Sequence, residues 1–120
     1  MSNVETAFDI HDLREQVAAG DVAAFGEFLA DDVVWSVIDQ RTPPAAPAVL
    51  HGREAVLAVL RDVVGRGIAT HVTDGFTAGD RCALELTCTY PAGARVVEHA
   101  LVEIRDGRIA RWSGVQAWDG

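Results

Sequence analysis

The sequence predicts an α+β domain in which helices cover one face of a mostly antiparallel sheet. Three observations carry this. The last third, Arg81 to Trp118, reads as three strand-like runs separated by turn signals at Pro91-Ala92-Gly93 and Asp106-Gly107. The first two thirds contain three apolar stripes at helical spacing. Alternating βαβ units, which a parallel doubly wound sheet requires, are absent.

Asp9 to Ala19 forms the first helix, with Ile10, Leu13 and Val17 on one face, Asp9 as N-cap and Gly20 as its C-terminal stop. Residues 1–8 before it are expected to fray. Asp21 caps a second helix, VAAFGEFLA, striped by Val22, Phe25, Phe28 and Leu29, which Asp31-Asp32 breaks. VVWSVID follows as a strand with Val33, Trp35, Val37 and Asp39 on one face. Residues 40–50 carry Pro43, Pro44 and Pro47, which exclude a helix interior or central strand and suggest a loop or lid. Ala55, Val56, Val59, Leu60 and Val63 stripe a third helix, ended by Gly65 and Gly67. Ile68 to Thr77 is the strand that precedes the meander. The order is therefore ααβαββββ in one domain of 120 residues.

Composition bounds the partners. Hydrophobic residues make up 49% of the chain, enough for a real core. A formal charge of −8 and a pI near 4.7 argue against nucleic acid and anionic membrane surfaces. No apolar run approaches a membrane span and no secretory signal is visible, so a cytoplasmic location is expected. Cys82 and Cys88 lie on one strand with Cα atoms roughly 20 Å apart at the usual rise. A disulfide spans at most about 7 Å, so they read as free thiols. His11, His51, His71 and His99 are scattered without ligand spacing, and no metal or cofactor is expected.

The ordered set Ala19-Gly20-Asp21…Phe25, Phe28-Leu29-Ala30-Asp31-Asp32-Val33, His51-Gly52-Arg53-Glu54-Ala55-Val56, Gly79-Asp80-Arg81 and Arg105-Asp106-Gly107-Arg108-Ile109…Trp112 resembles the NTF2-like superfamily. Pro91-Ala92-Gly93-Ala94-Arg95, similar to a P-T-G-R turn with one residue inserted, makes SnoaL-like the best subfamily label. The resemblance implies a cone-shaped curved sheet wrapped around helices, an apolar pocket for a hydrophobic small molecule, and a homodimer through the outer sheet face. It includes polyketide cyclases, ketosteroid isomerases, epoxide hydrolases and plain binders, so it does not choose among them.

Familiar catalytic sets are not reproduced. The positions matching the isomerases' tyrosine, base and second acidic donor hold Leu13, Val37 and Ala100. The position two after Trp112, where the epoxide hydrolases keep an aspartate, is Gly114. Arg111 and Gln116 stand where some SnoaL-like members carry His and Asp.

Strand parity nominates a different set. Glu98 shares its face with Val96, Ala100, Val102 and Ile104, so it is the polar member of an apolar row. A carboxylate there finds partners or raises its pKa, as a general acid or base needs. A bulge near the hairpin would instead turn His99 inward, and both orientations stay open. Asp39 is a second acid/base candidate, against the alternative of a solvated aspartate at a loop start. Trp35, Val37, Tyr90, Trp112 and Gln116 are candidates for substrate binding, against ordinary core packing. Trp118 reads as an edge or dimer contact, and His51 as an exposed helix-start residue or a group at the pocket mouth. Two functions follow: a cofactor-free acid/base enzyme on a polyketide- or terpenoid-like substrate, or a non-catalytic binder.

Overall fold

Local signals set the first turns of the chain. In the computed structural model, which describes residues 8–119, α1 (Ile10–Ala19) begins where the Asp9 side chain accepts from the backbone N–H groups of His11 and Asp12. It ends at Gly20 in the left-handed region, φ 67°. Asp21 caps α2 (Val22–Gly26) through the N–H of Ala24. The part of the N-terminus expected to fray lies almost wholly outside the described residues.

α2 is shorter than its apolar stripe predicts, because the sheet takes over. The carbonyl of Phe28 accepts from the N–H of Ile109 at 2.7 Å, and Leu29 opens the strand β1 (Leu29–Ile38). Pairing with a distant strand outweighs the helical preference of FLA. Asp31 and Asp32, expected to break the helix, lie within β1 where its register shifts between Leu29 and Val34. There they turn outward: Asp32 meets Arg105, and Asp31 faces Arg53 at 3.8 Å.

The proline-rich segment holds one element the sequence reading missed. β2 (Ala48–His51) folds back antiparallel on β1, with Leu50 opposite Trp35. It is a four-residue strand at the sheet edge, where preceding prolines are tolerated. α3 (Arg53–Gly65), β3 (Ala69–Ala78), β4 (Arg81–Thr89), β5 (Arg95–Arg105) and β6 (Arg108–Trp118) complete the chain close to the expected bounds. The order across the curved, mixed sheet is β2-β1-β6-β5-β4-β3, antiparallel throughout except for the β1–β6 pair.

The helices lie on the inner face. Leu13 of α1, Phe25 of α2 and Val56 and Leu57 of α3 form one core with Leu29, Val33, Val72, Leu84, Val102, Ile109 and Trp112. Burial is uneven along this face. Leu29, Val33, Val102 and Ile109 are fully buried, whereas Val37, Cys88, Gln116 and Trp118, towards the other end, are half-buried. The inner face thus has a sealed end and a looser one.

Candidate functional site

β5 places the site. Val96, Glu98, Ala100 and Val102 are buried while Arg95, Val97, His99, Leu101 and Glu103 are exposed, so alternation is strict. The hairpin before it closes tightly, with Tyr90 N–H donating to Ala94 O and Gly93 N–H to Tyr90 O. The register against β4 runs unbroken from Thr89↔Arg95 to Arg81↔Glu103. No bulge flips the strand, and the orientation with His99 inward is therefore corrected. His99 stands on the outer face, its side chain 71% exposed, 3.0 Å from Glu85.

Glu98 is the one buried charged or polar residue among the described residues, at 8% exposure. Both carboxyl oxygens are engaged. The Trp112 indole N–H donates to Oε2 at 2.7 Å, and the Gln116 amide donates to Oε1 at 3.1 Å. Trp112 is 2% exposed and lies on the partner strand β6. Burial pushes the Glu98 carboxyl above the ordinary carboxylate range, and the two donors offset part of that rise.

A glycine makes the geometry possible. Ala100 and Gly114 are paired across β5 and β6, and a Cβ at Gly114 would stand 2.0 Å from Glu98 Oε2. The carboxyl from β5 fills the space that a side chain on β6 would take. Sequence reasoning treated Gly114 only as a missing aspartate. The available signal was a glycine inside a strand, which often marks close approach by another group.

Trp112 is fixed on its other side by Trp35, its register partner on β1. Their rings stack with centroids 4.1 Å apart and planes 5° from parallel. Val37 pairs with Gly114 and so flanks the carboxyl site. On β4, the Cys88 thiol lies 3.4 Å from Thr70 Oγ1. Burial raises the Cys88 pKa, the Thr70 contact lowers it, and the charge of Glu98 raises it again.

The profile of the SnoaL-like domain family matches residues 10–112. The chain belongs to this family. Solved structures share the fold at low identity. An NTF2-like protein of unknown function from Mesorhizobium loti is 23% identical with a TM-score of 0.75, over 92% of this chain and 88% of that one. A candidate ketosteroid isomerase from Kribbella flavida is 19% identical with a TM-score of 0.73, over 92% of this chain and 75% of that one. A candidate polyketide cyclase from Sinorhizobium meliloti is 20% identical with a TM-score of 0.65, over 88% of this chain and 91% of that one. No match was found among curated proteins.

Within this SnoaL-like domain the remaining nominated residues are spread out. Asp39 follows the end of β1, half-buried, and its Oδ1 accepts from the Arg41 N–H at 2.8 Å. That is a loop-start turn, and the structure does not bring Asp39 into hydrogen-bonding contact with Glu98. Tyr90 is half-buried at the β4–β5 turn. His51 is exposed on β2 opposite Val34, and His71 is exposed opposite Thr87. Trp118 departs from expectation: its indole donates to Gln116 Oε1 at 3.2 Å, so it belongs to the cluster around Glu98. Leu13 and Ala100, matching the isomerase donors, are core residues.

A broad open cleft of about 1050 Å³ lies elsewhere, lined by Phe8, Asp12, Phe28, Asp32, Arg105 and Asp106 among others. It contains none of the nominated residues. A buried ionisable group with directed donors is a stronger mark of a chemical site than a solvent-open groove, so Glu98 and its neighbours are taken as the candidate site.

Proposed function

We propose that this SnoaL-like protein is a small-molecule enzyme without a cofactor, acting by proton transfer on a hydrophobic polyketide- or terpenoid-like substrate. Glu98 is the proton-transferring group. As a carboxylate it takes a proton from a carbon acid while the C–H electron pair moves into an adjoining carbonyl. The resulting acid returns the proton at a second atom, so the cycle needs no other reactant. Isomerisation, cyclisation or dehydration follows from where that proton lands. Trp35 and Val37, both half-buried, supply aromatic and apolar surface beside the carboxyl, buried Trp112 holds it in place, and Tyr90 stands at the looser end of the inner face. The observation that carries this reading is a buried carboxyl with raised proton affinity, held by two directed donors where burial gives way to partial exposure.

A binding-only role is favoured by one specific observation: Asp39 is engaged by its own loop, leaving Glu98 without a second carboxyl partner among the described residues. The test is a panel of polyketide, enone and epoxide substrates assayed with wild type and Glu98→Gln. Loss of turnover by roughly 10²- to 10⁴-fold in the variant is expected. Turnover unchanged by the substitution would remove Glu98 from the reaction. Ligand binding without turnover in either protein would favour the binder. We also place a homodimer contact on the outer sheet face, where Phe76, Val97, Leu101 and Val115 are exposed. A monomer in sedimentation at micromolar concentration would overturn that assignment.

A further inference from the structure

We infer that Trp118 is a positioning residue: by donating to Gln116 it fixes which end of that amide faces Glu98, and so governs where the Glu98 proton can reside. The inference rests on the reading of Glu98 as the proton-transferring group, although its test needs no substrate.

The argument is one of donor and acceptor inventory. An indole nitrogen can only donate, and a primary amide has one donating and one accepting end. Trp118 Nε1 lies 3.2 Å from Gln116 Oε1, so the Gln116 carbonyl is committed to Trp118. The amide nitrogen is then the only end left for Glu98, 3.1 Å from its Oε1. Turning the amide over would set N–H against N–H at Trp118 and a carbonyl against the carboxylate at Glu98. Trp112, also donor only, holds Oε2. Glu98 therefore meets donors at both oxygens, which favours its ionised form and opposes the effect of burial. Were the amide free to turn, its carbonyl would accept from a protonated Glu98 and favour the neutral form.

Trp118 is itself held from the proline-rich loop. Gln40 Nε2 donates to the Trp118 carbonyl at 3.3 Å, and the Arg41 guanidinium lies over the indole, 5.4 Å from its centroid. The loop suspected from its prolines thus reaches the carboxyl through Trp118 and Gln116. The other groups around Glu98 are few. β4 presents the Cys88 thiol, whose raised pKa keeps it neutral near neutral pH. β6 presents Trp112 and Gln116, and β1 presents Trp35 and Val37, all uncharged. The buried face of α3 is Val56 and Leu57. At the looser end, Asp39 is tied to the Arg41 amide, and Arg95 faces Asp119 at 3.9 Å.

The experiment is a carbon-13 titration of the Glu98 carboxyl in wild type, Gln116→Leu and Trp118→Phe. Phenylalanine keeps an aromatic ring at this position and removes the indole N–H together with the rest of the fused second ring. The midpoint is expected to rise by about one pH unit or more in both variants, although Trp118 does not touch Glu98. A rise in Gln116→Leu with none in Trp118→Phe overturns the inference. Should Trp118→Phe not fold, wild type alone decides. The Trp118 indole N–H resonance is expected to shift with the same midpoint as Glu98, and a resonance flat through that midpoint overturns the inference. Neither failure bears on turnover by Glu98, which the Glu98→Gln assay reads separately.

Discussion

Two glutamates lie almost side by side on the paired strands β4 and β5, and they differ in burial and in proton affinity. Glu85 is on the outer face opposite His99; Glu98 is on the inner face opposite Leu86. Glu85 accepts from Thr73 at 2.8 Å and sits 3.0 Å from His99, and these contacts hold its carboxyl below the usual range. Glu98 also accepts two hydrogen bonds, yet its proton affinity is raised. The number of donors does not separate them. Solvent does: on the outer face water carries the charge at little cost, and inside the sheet two donors do not replace it. Strand alternation alone therefore converts one residue type into an inert surface carboxylate or a candidate acid/base group.

The largest expected break in that contrast is at Trp112. Trp112→Ala removes a fully buried ring, its stacking on Trp35 and the donor to Glu98 Oε2 together. It should destabilise the protein by about 3–5 kcal/mol in urea denaturation. His99→Ala, the matching deletion on the outer face, should stay within about 0.5 kcal/mol. Comparable losses from both would mean that the two faces are not energetically distinct.

A smaller effect tests whether Glu98 occupies the space of a missing side chain. Gly114→Ala alone should cost about 1–3 kcal/mol by overpacking, because the added methyl meets the carboxyl. In a Glu98→Ala background the clash with the carboxyl is gone and only the approach to Trp112 Nε1 at 3.1 Å remains, so the same methyl should cost less. If the two substitutions are additive instead, the carboxyl does not fill the gap at Gly114.

Much of this was legible in the sequence, for reasons specific to particular residues. The meander declared itself through Pro91-Ala92-Gly93 and Asp106-Gly107, and Asp106 and Gly107 do adopt positive φ, 55° and 76°. Glu98 was legible because period-two alternation needs no tertiary information once the strand is assigned. What alternation could not decide was whether the hairpin carried a bulge, and so whether His99 or Glu98 faced inward. Leu29 and Ala30 read as the tail of a helix because the pairing partner of Leu29, Ile109, is 80 residues away along the chain. β2 hid behind its prolines. Trp118 and Gly114 were invisible as site residues because their roles are relational: one fixes an amide two positions away, the other is an absence that a neighbouring strand fills.

The smallest expected effect is the most direct test of the comparison, since it reads the two carboxyls by the sign of their pH response. Glu98 has a folded-state pKa above its ordinary 4.5. Its stabilising contribution is complete below that value and is lost as pH rises through the folded pKa. Glu85 has a folded-state pKa below its ordinary 4.5, so its contribution is present above that value and is lost as pH falls through the folded pKa. Denaturation of wild type, Glu98→Gln and Glu85→Gln across acid to neutral pH should therefore give opposite trends. Relative to wild type, Glu98→Gln gains stability as pH rises, and Glu85→Gln loses it. The Glu98 slope is moderated because Trp112 and Gln116 offset part of the burial, and the Glu85 slope because water screens its partners. Slopes of the same sign would show that the two faces of the sheet do not impose opposite environments, and the case for Glu98 as a tuned proton carrier would fall with them.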